Sequence, residues 1–177
     1  MVFQELPVFV YGDAPMCAGC SRVESTGEPL LVGEVPSPMF DVSRTLDGAI
    51  VASAAFRDVC ADVPGVTFAP LPGVDQLWML SVDPIVRIEP FDTRVRSGPP
   101  CARCGRPRYV TRTGPISLVD DQELPSGFSR TDMEFGDSAD FGSTQPVLFR
   151  PDVLVDRQTA RLLKAAPLLG VHLIVQP

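Results

Sequence analysis

The sequence predicts an α+β fold made of two related strand-helix-strand halves with antiparallel strands. Three observations carry that expectation. Nineteen prolines among 177 residues punctuate the chain throughout and favour short strands and loops over long helices. The segments "DGAIVASAAFRDVCADVPGVTF" (47–68) and "DVLVDRQTARLLKAAPLLGVHL" (152–173) align without gaps and share one order of features. Each segment also lies downstream of one Cys-x-x-Cys pair, Cys17/Cys20 or Cys101/Cys104.

The elements follow from pattern and punctuation. "VFQELPVFVYG" reads as a strand interrupted at Pro7, and "STGEPLLVGEVPSP" as a turn, a short strand and a proline-rich break. Ala49–Val51 is a short apolar strand, and Ala52–Asp62 has the spacing of an amphipathic helix. After Pro64-Gly65, Val66–Ala69 reads as a strand, and "QLWMLSVDPIVRIEP" supplies strands on either side of Asp83-Pro84. "PRYVTRTGPISLV" reads as a hairpin around Thr113-Gly114-Pro115. The polar stretch 120–145 reads as a long acidic loop. The final segment repeats the earlier order, with Asp47 over Asp152, Gly65 over Gly170 and Val66 over Val171. A chain of this length builds one domain, 1–177, which the repeat divides into halves of about 1–90 and 91–177 sharing one site.

Five cysteines form a poor disulfide framework, and "MVFQELPVFVYGD" has no positive n-region, so no secretory signal is expected. Cys60 falls in a helical stretch, where a lone thiol packs as a small hydrophobe. The two Cys-x-x-Cys pairs suit one tetrahedral ion, because two intervening residues let both sulfurs turn onto it. The halves are thus expected to be joined by a zinc-ribbon-like four-cysteine site of Cys17, Cys20, Cys101 and Cys104, holding one structural Zn²⁺ per chain. Iron in the same cage would make a rubredoxin-like electron carrier, and a redox pair is a third reading. Glycine follows Cys104 and suits the left-handed turn there, whereas Ser21 follows Cys20. The 80 residues between the pairs are tolerable, since loop-closure entropy rises only logarithmically with length.

Net charge is −7, and it is unevenly placed. Six arginines and no acids lie between Thr93 and Val119, followed by seven acids against one arginine from Asp120 to Asp140. The expected partner surface is this acidic segment, with Asp132, Glu134, Phe135, Asp137 and Asp140 facing a basic protein and Phe128 and Phe141 as further anchors. The plainer reading is a solvated loop whose phenylalanines cover the protein's own core. The arginines would compensate a tetrathiolate centre, or contact phosphates. Nucleic acid is the less expected partner, because the chain is acidic, with pI near 4.6. His172 is the single histidine and no nucleophile, Walker or dinucleotide motif accompanies it, so no enzyme is expected. No apolar run has the length to span a bilayer, and a cytoplasmic location is the expectation.

The knuckles "CAGC" and "CARCG", the segment "DGAIVASAAFRDVCADVPGVTFAPL" and the ending "FRPDVLVDRQTARLLKAAPLLGVHLIVQP" together resemble the double-CXXCG motif proteins, best known as myxobacterial paralogues. The resemblance spans nearly the whole chain. It implies zinc at the four cysteines and a role as an immunity protein that neutralises a cognate antibacterial toxin. Ser21 departs from the family pattern, which has glycine there.

Overall fold

The computed structural model describes residues 4–5, 16–23, 40–44, 49–71, 74–89, 92–115, 117–120, 122–137 and 149–173. Strands β1 (Gln4–Glu5), β2 (Val42–Arg44) and β3 (Ile50–Ser53) lead into helix α1 (Ala54–Val59). Strands β4 (Val66–Pro70) and β5 (Leu77–Val82) complete a first sheet of order β1-β2-β3-β5-β4. All its pairings are antiparallel except β1 with β2. The chain crosses to a second sheet at Asp83-Pro84. There β6 (Ile85–Val86) lies parallel to β9 (Phe128–Asp137), in a sheet of order β10-β9-β8-β7. Its other members are β7 (Val95–Ser97), β8 (Tyr109–Arg112) and β10 (Arg150–Val155), and helix α2 (Arg157–Ala165) follows. Among the described residues, mixed strands, mainly antiparallel, and two short helices bear out the α+β class.

Burial follows the two-residue period of the strands. Ile50, Ala52, Leu80 and Val82 point to one face of the first sheet, where they meet Phe56, Phe128, Val153 and Leu163 in the main core. Val51 and Leu77 point to the other face and form a smaller cluster with Leu71. Phe56 of α1 stands edge-on to Phe68 and to Phe128, at 6.5 and 6.4 Å between ring centres. Phe128 thereby locks the second sheet onto the first. The backbone closes the same seam: the Phe128 N–H donates to the Pro64 carbonyl at 2.9 Å. Gly65 and Gly127, both in left-handed conformation, leave no room for a Cβ, which would sit 2.1 Å from the facing carbonyl oxygen in each case.

Both helices begin alike. Ser53 Oγ accepts the Phe56 N–H at 3.2 Å, and Asp156 Oδ1 accepts the Thr159 N–H at 2.6 Å, each capping the third helical amide. Both helices are followed by a left-handed glycine, Gly65 (φ 79°) and Gly170 (φ 77°). The caps lie 103 residues apart and the glycines 105, so the shared order holds but the gap-free register does not.

Several expectations are corrected. The helix expected from Ala52 begins at Ala54, because Ala52 pairs with Val42 and Trp78 and Ser53 serves as the cap. Among the described residues, no hairpin forms around Gly114. Strand β8 turns back to pair with β7 instead, so the hairpin loop is the segment that carries Cys101 and Cys104. The acidic stretch expected as a loop contains β9, a ten-residue strand at the centre of the second sheet. Val171–Leu173 forms no ladder strand among the described residues; His172 sits there at an isolated bridge position, exposed. Cys60 is fully buried behind α1, and burial pushes its thiol up to about 12. No described helix is long and apolar enough to cross a membrane.

Candidate metal centre

The two knuckles have one geometry, repeated at a sequence offset of 84. Cys17 N–H donates to the Arg22 carbonyl at 2.9 Å, and Cys101 N–H to the Arg106 carbonyl at 2.8 Å. Ser21 N–H returns to the Cys17 carbonyl at 2.7 Å, and Gly105 N–H to the Cys101 carbonyl at 2.8 Å. A bridge closes each turn, Met16 with Val23 and Pro100 with Pro107. The position after the second cysteine is left-handed in both, with φ 55° at Ser21 and 71° at Gly105. Serine therefore occupies the conformation that glycine adopts without strain.

The second knuckle rides on the β7–β8 hairpin. Its ladder continues past the strand ends, through Gly98 N–H to the Tyr109 carbonyl at 2.9 Å and Arg108 N–H to the Pro99 carbonyl at 3.1 Å. Asp92 fixes the base of that hairpin. Its carboxylate takes Arg94 Nε and Nη2, each at 2.8 Å, and the Ser117 N–H at 2.8 Å. The Arg94 guanidinium, helped by the N–H groups of Arg94 and Ser117, holds the Asp92 carboxyl well below the usual carboxylate range. The first knuckle is tied to β9 by Arg22, a buried side chain that pairs with Glu134 and lies 3.8 Å over the Phe149 ring.

The sulfurs meet across the knuckles, Cys17 with Cys101 at 4.0 Å and Cys20 with Cys104 at 3.8 Å. All four Sγ atoms lie within 4.8 Å of one another. A tetrahedron with metal–sulfur bonds of ~2.3 Å has sulfurs ~3.8 Å apart, so the cage matches a single ion. Gly19 packs on its counterpart in the other knuckle: a Cβ there would stand 3.0 Å from Arg103 Cβ and 3.0 Å from Cys101 Sγ. That contact explains "CAGC" opposite "CARC".

Backbone dipoles prepare the sulfurs for a cation. Gly19 N–H points at Cys17 Sγ at 3.4 Å, and Arg103 N–H at Cys101 Sγ at 3.5 Å. The amides of Cys104 and Arg103 hold the Cys101 thiol down to about 6, and the Gly19 amide lowers Cys17. Burial pushes Cys20 up to about 12. A bound dication would supply the charge that keeps all four ligands as thiolates.

The residues expected to face a partner are placed differently from one another. Asp132 and Glu134 are exposed on one face of β9, yet both already bond within the protein. Asp132 Oδ1 accepts the Ile88 N–H at 3.0 Å, and Glu134 holds Arg22. Phe135 is half-buried on the other face, with the Arg112 guanidinium 5.8 Å from its ring centre. Phe128 is a core residue, as the plainer reading had it. Asp137 ends β9, while Asp140 and Phe141 lie outside the described residues. Of the basic run, Arg94 is paired with Asp92 and Arg112 with Asp152, so their charges are already compensated. Arg22 was not anticipated as a site residue, although its signal is present: Cys-Ser-Arg in one knuckle matches Cys-Gly-Arg in the other. Comparison with family models, curated proteins and solved structures returns no match.

Proposed function

We propose that this protein is a cytoplasmic immunity protein, with no catalysis of its own, that binds and neutralises a cognate antibacterial toxin from a scaffold clamped by one structural zinc ion. The observation that carries the reading is the four-sulfur cage. Four protein ligands complete a tetrahedral zinc ion and leave no position for water or substrate, which is the arrangement of structural sites. The work of such a protein then falls to its surface. The shared knuckle geometry supports a duplicated chain of two halves around one ion, the pattern implied by the resemblance to double-CXXCG proteins. The net charge of −7 supports a partner with basic character overall.

The alternative is a zinc-ribbon nucleic-acid-binding protein. It is favoured by Arg96, Arg103 and Arg106, which are exposed around the second knuckle. The compensation of Arg94 and Arg112 weighs against it. Co-expression with the toxic product of the neighbouring gene decides between them. Rescue of growth and a complex stable to gel filtration are expected. No rescue and no complex, together with salt-sensitive binding to DNA or RNA, would establish the alternative.

A further inference from the structure

Between the knuckles and β9 lies an open cleft of about 720 Å³, within the size range of ligand-binding clefts. Arg22 enters it from the first knuckle, Arg106 from the second, and Arg130, Asp132 and Glu134 from β9. These charges do not all remain available. Arg22 and Glu134 neutralise each other. Arg130 donates Nε to the Val82 carbonyl at 2.9 Å, which orients the guanidinium, and it makes no ion pair among the described residues. Arg106 is exposed and makes no ion pair among the described residues. Asp132 keeps one oxygen beyond its bond to Ile88. Two guanidiniums thus face one carboxylate, a locally positive hollow in a chain of net charge −7.

We propose that this cleft seats a carboxylate-bearing segment of a protein partner. The proposal deepens the immunity reading and rests on it for the identity of that partner. A guanidinium fork matches a carboxylate in plane and charge. The wall also contains Asp132, a carboxylate without an ion pair among the described residues, which disfavours a polyphosphate carrying a charge on every nucleotide. A protein loop meets both demands: its carboxylate sits between Arg106 and Arg130, and one of its N–H groups reaches the remaining oxygen of Asp132. Pro107 adds apolar contact for the neighbouring side chains.

Two measurements test this on the metal-loaded full chain. In the first, the arginine Nε–Hε NMR signals are followed during titration with three probes. These are a blocked five-residue peptide with a central glutamate, its glutamine counterpart, and ten-nucleotide oligo-dT. The glutamate peptide is expected to shift Arg106 and Arg130 saturably and to bind at least fivefold tighter than the glutamine peptide. No shift with the glutamate peptide, or tighter binding of oligo-dT at the same signals, overturns the proposal. In the second, Arg106→Glu should weaken the toxin complex at least tenfold with melting temperature and metal content unchanged; an unaltered Kd places the toxin elsewhere and overturns it. If the wild-type chain binds no toxin, the immunity reading fails by itself, and the peptide titration still decides the cleft.

Discussion

Ser21 holds a left-handed backbone (φ 55°) that its Cβ disfavours by roughly 1 kcal/mol, and its counterpart Gly105 (φ 71°) holds it without that cost. Ser21→Gly should therefore raise stability by about 0.5–1 kcal/mol, measured by denaturant unfolding of the metal-loaded protein. A loss of stability would show that the serine side chain is worth more than the strain. The Asp92 carboxyl gives a pH signature. Its folded pKa lies below the ordinary ~3.9, so its contribution is complete above that value and fades as pH falls through the folded pKa. Asp92→Asn should be less stable than wild type by a constant margin from pH 5 to 7, a margin that closes below about pH 4. A gap independent of pH would mean that Asp92 acts by shape alone. At this scale the ligands were readable, because Cys-x-x-Cys is a local signal. The Arg22–Glu134 pair was not, since its members stand 112 positions apart and nothing local couples them.

At the scale of elements, β9 teaches the most. From Ser129 to Phe135 it alternates strictly, with Arg130, Asp132 and Glu134 on one face and Thr131, Met133 and Phe135 on the other. That is a strand's period, and its charge content hid it behind the appearance of a solvated loop. The pairing partner of β8 was beyond local reading for a different reason: both neighbouring turns are plausible, and only packing chooses between them. β9 also meets an irregularity in β10, where the register shifts between Pro151 and Val153. The buried Thr131 mends it, its Oγ1 accepting the Asp152 N–H at 2.9 Å and donating to the Met133 carbonyl at 2.8 Å. Thr131→Val keeps the shape and removes both bonds, leaving an amide unsatisfied beside the core. It should cost about 1–3 kcal/mol by denaturant unfolding; a neutral result would mean that the bulge relaxes onto another acceptor.

For the whole molecule, the α+β class was legible from prolines and patterning, whereas the two-sheet arrangement was not. The seam at Phe56, Phe128 and Val153 joins residues that share no sequence neighbourhood. The four-sulfur cage joins another distant pair, the 16–23 knuckle and the β7–β8 hairpin, so opening it should loosen both. Chelation, or Cys101→Ser, is expected to release about one zinc per chain and to lower the melting temperature steeply, with loss of near-ultraviolet circular dichroism. A metal-free protein with an unchanged melting curve would remove the cage from any structural role. The 84-residue offset between the knuckles has a further consequence, in time rather than space. A ribosome adding ~5–20 residues per second delivers Cys17 and Cys20 roughly 4 to 17 s before their partners. Glu134, which secures Arg22, is made later still. Through that interval the nascent chain carries an open two-thiol hook, able to recruit a cation but not to enclose it. Arrival of the second knuckle is thus the step at which the four-sulfur cage can first close.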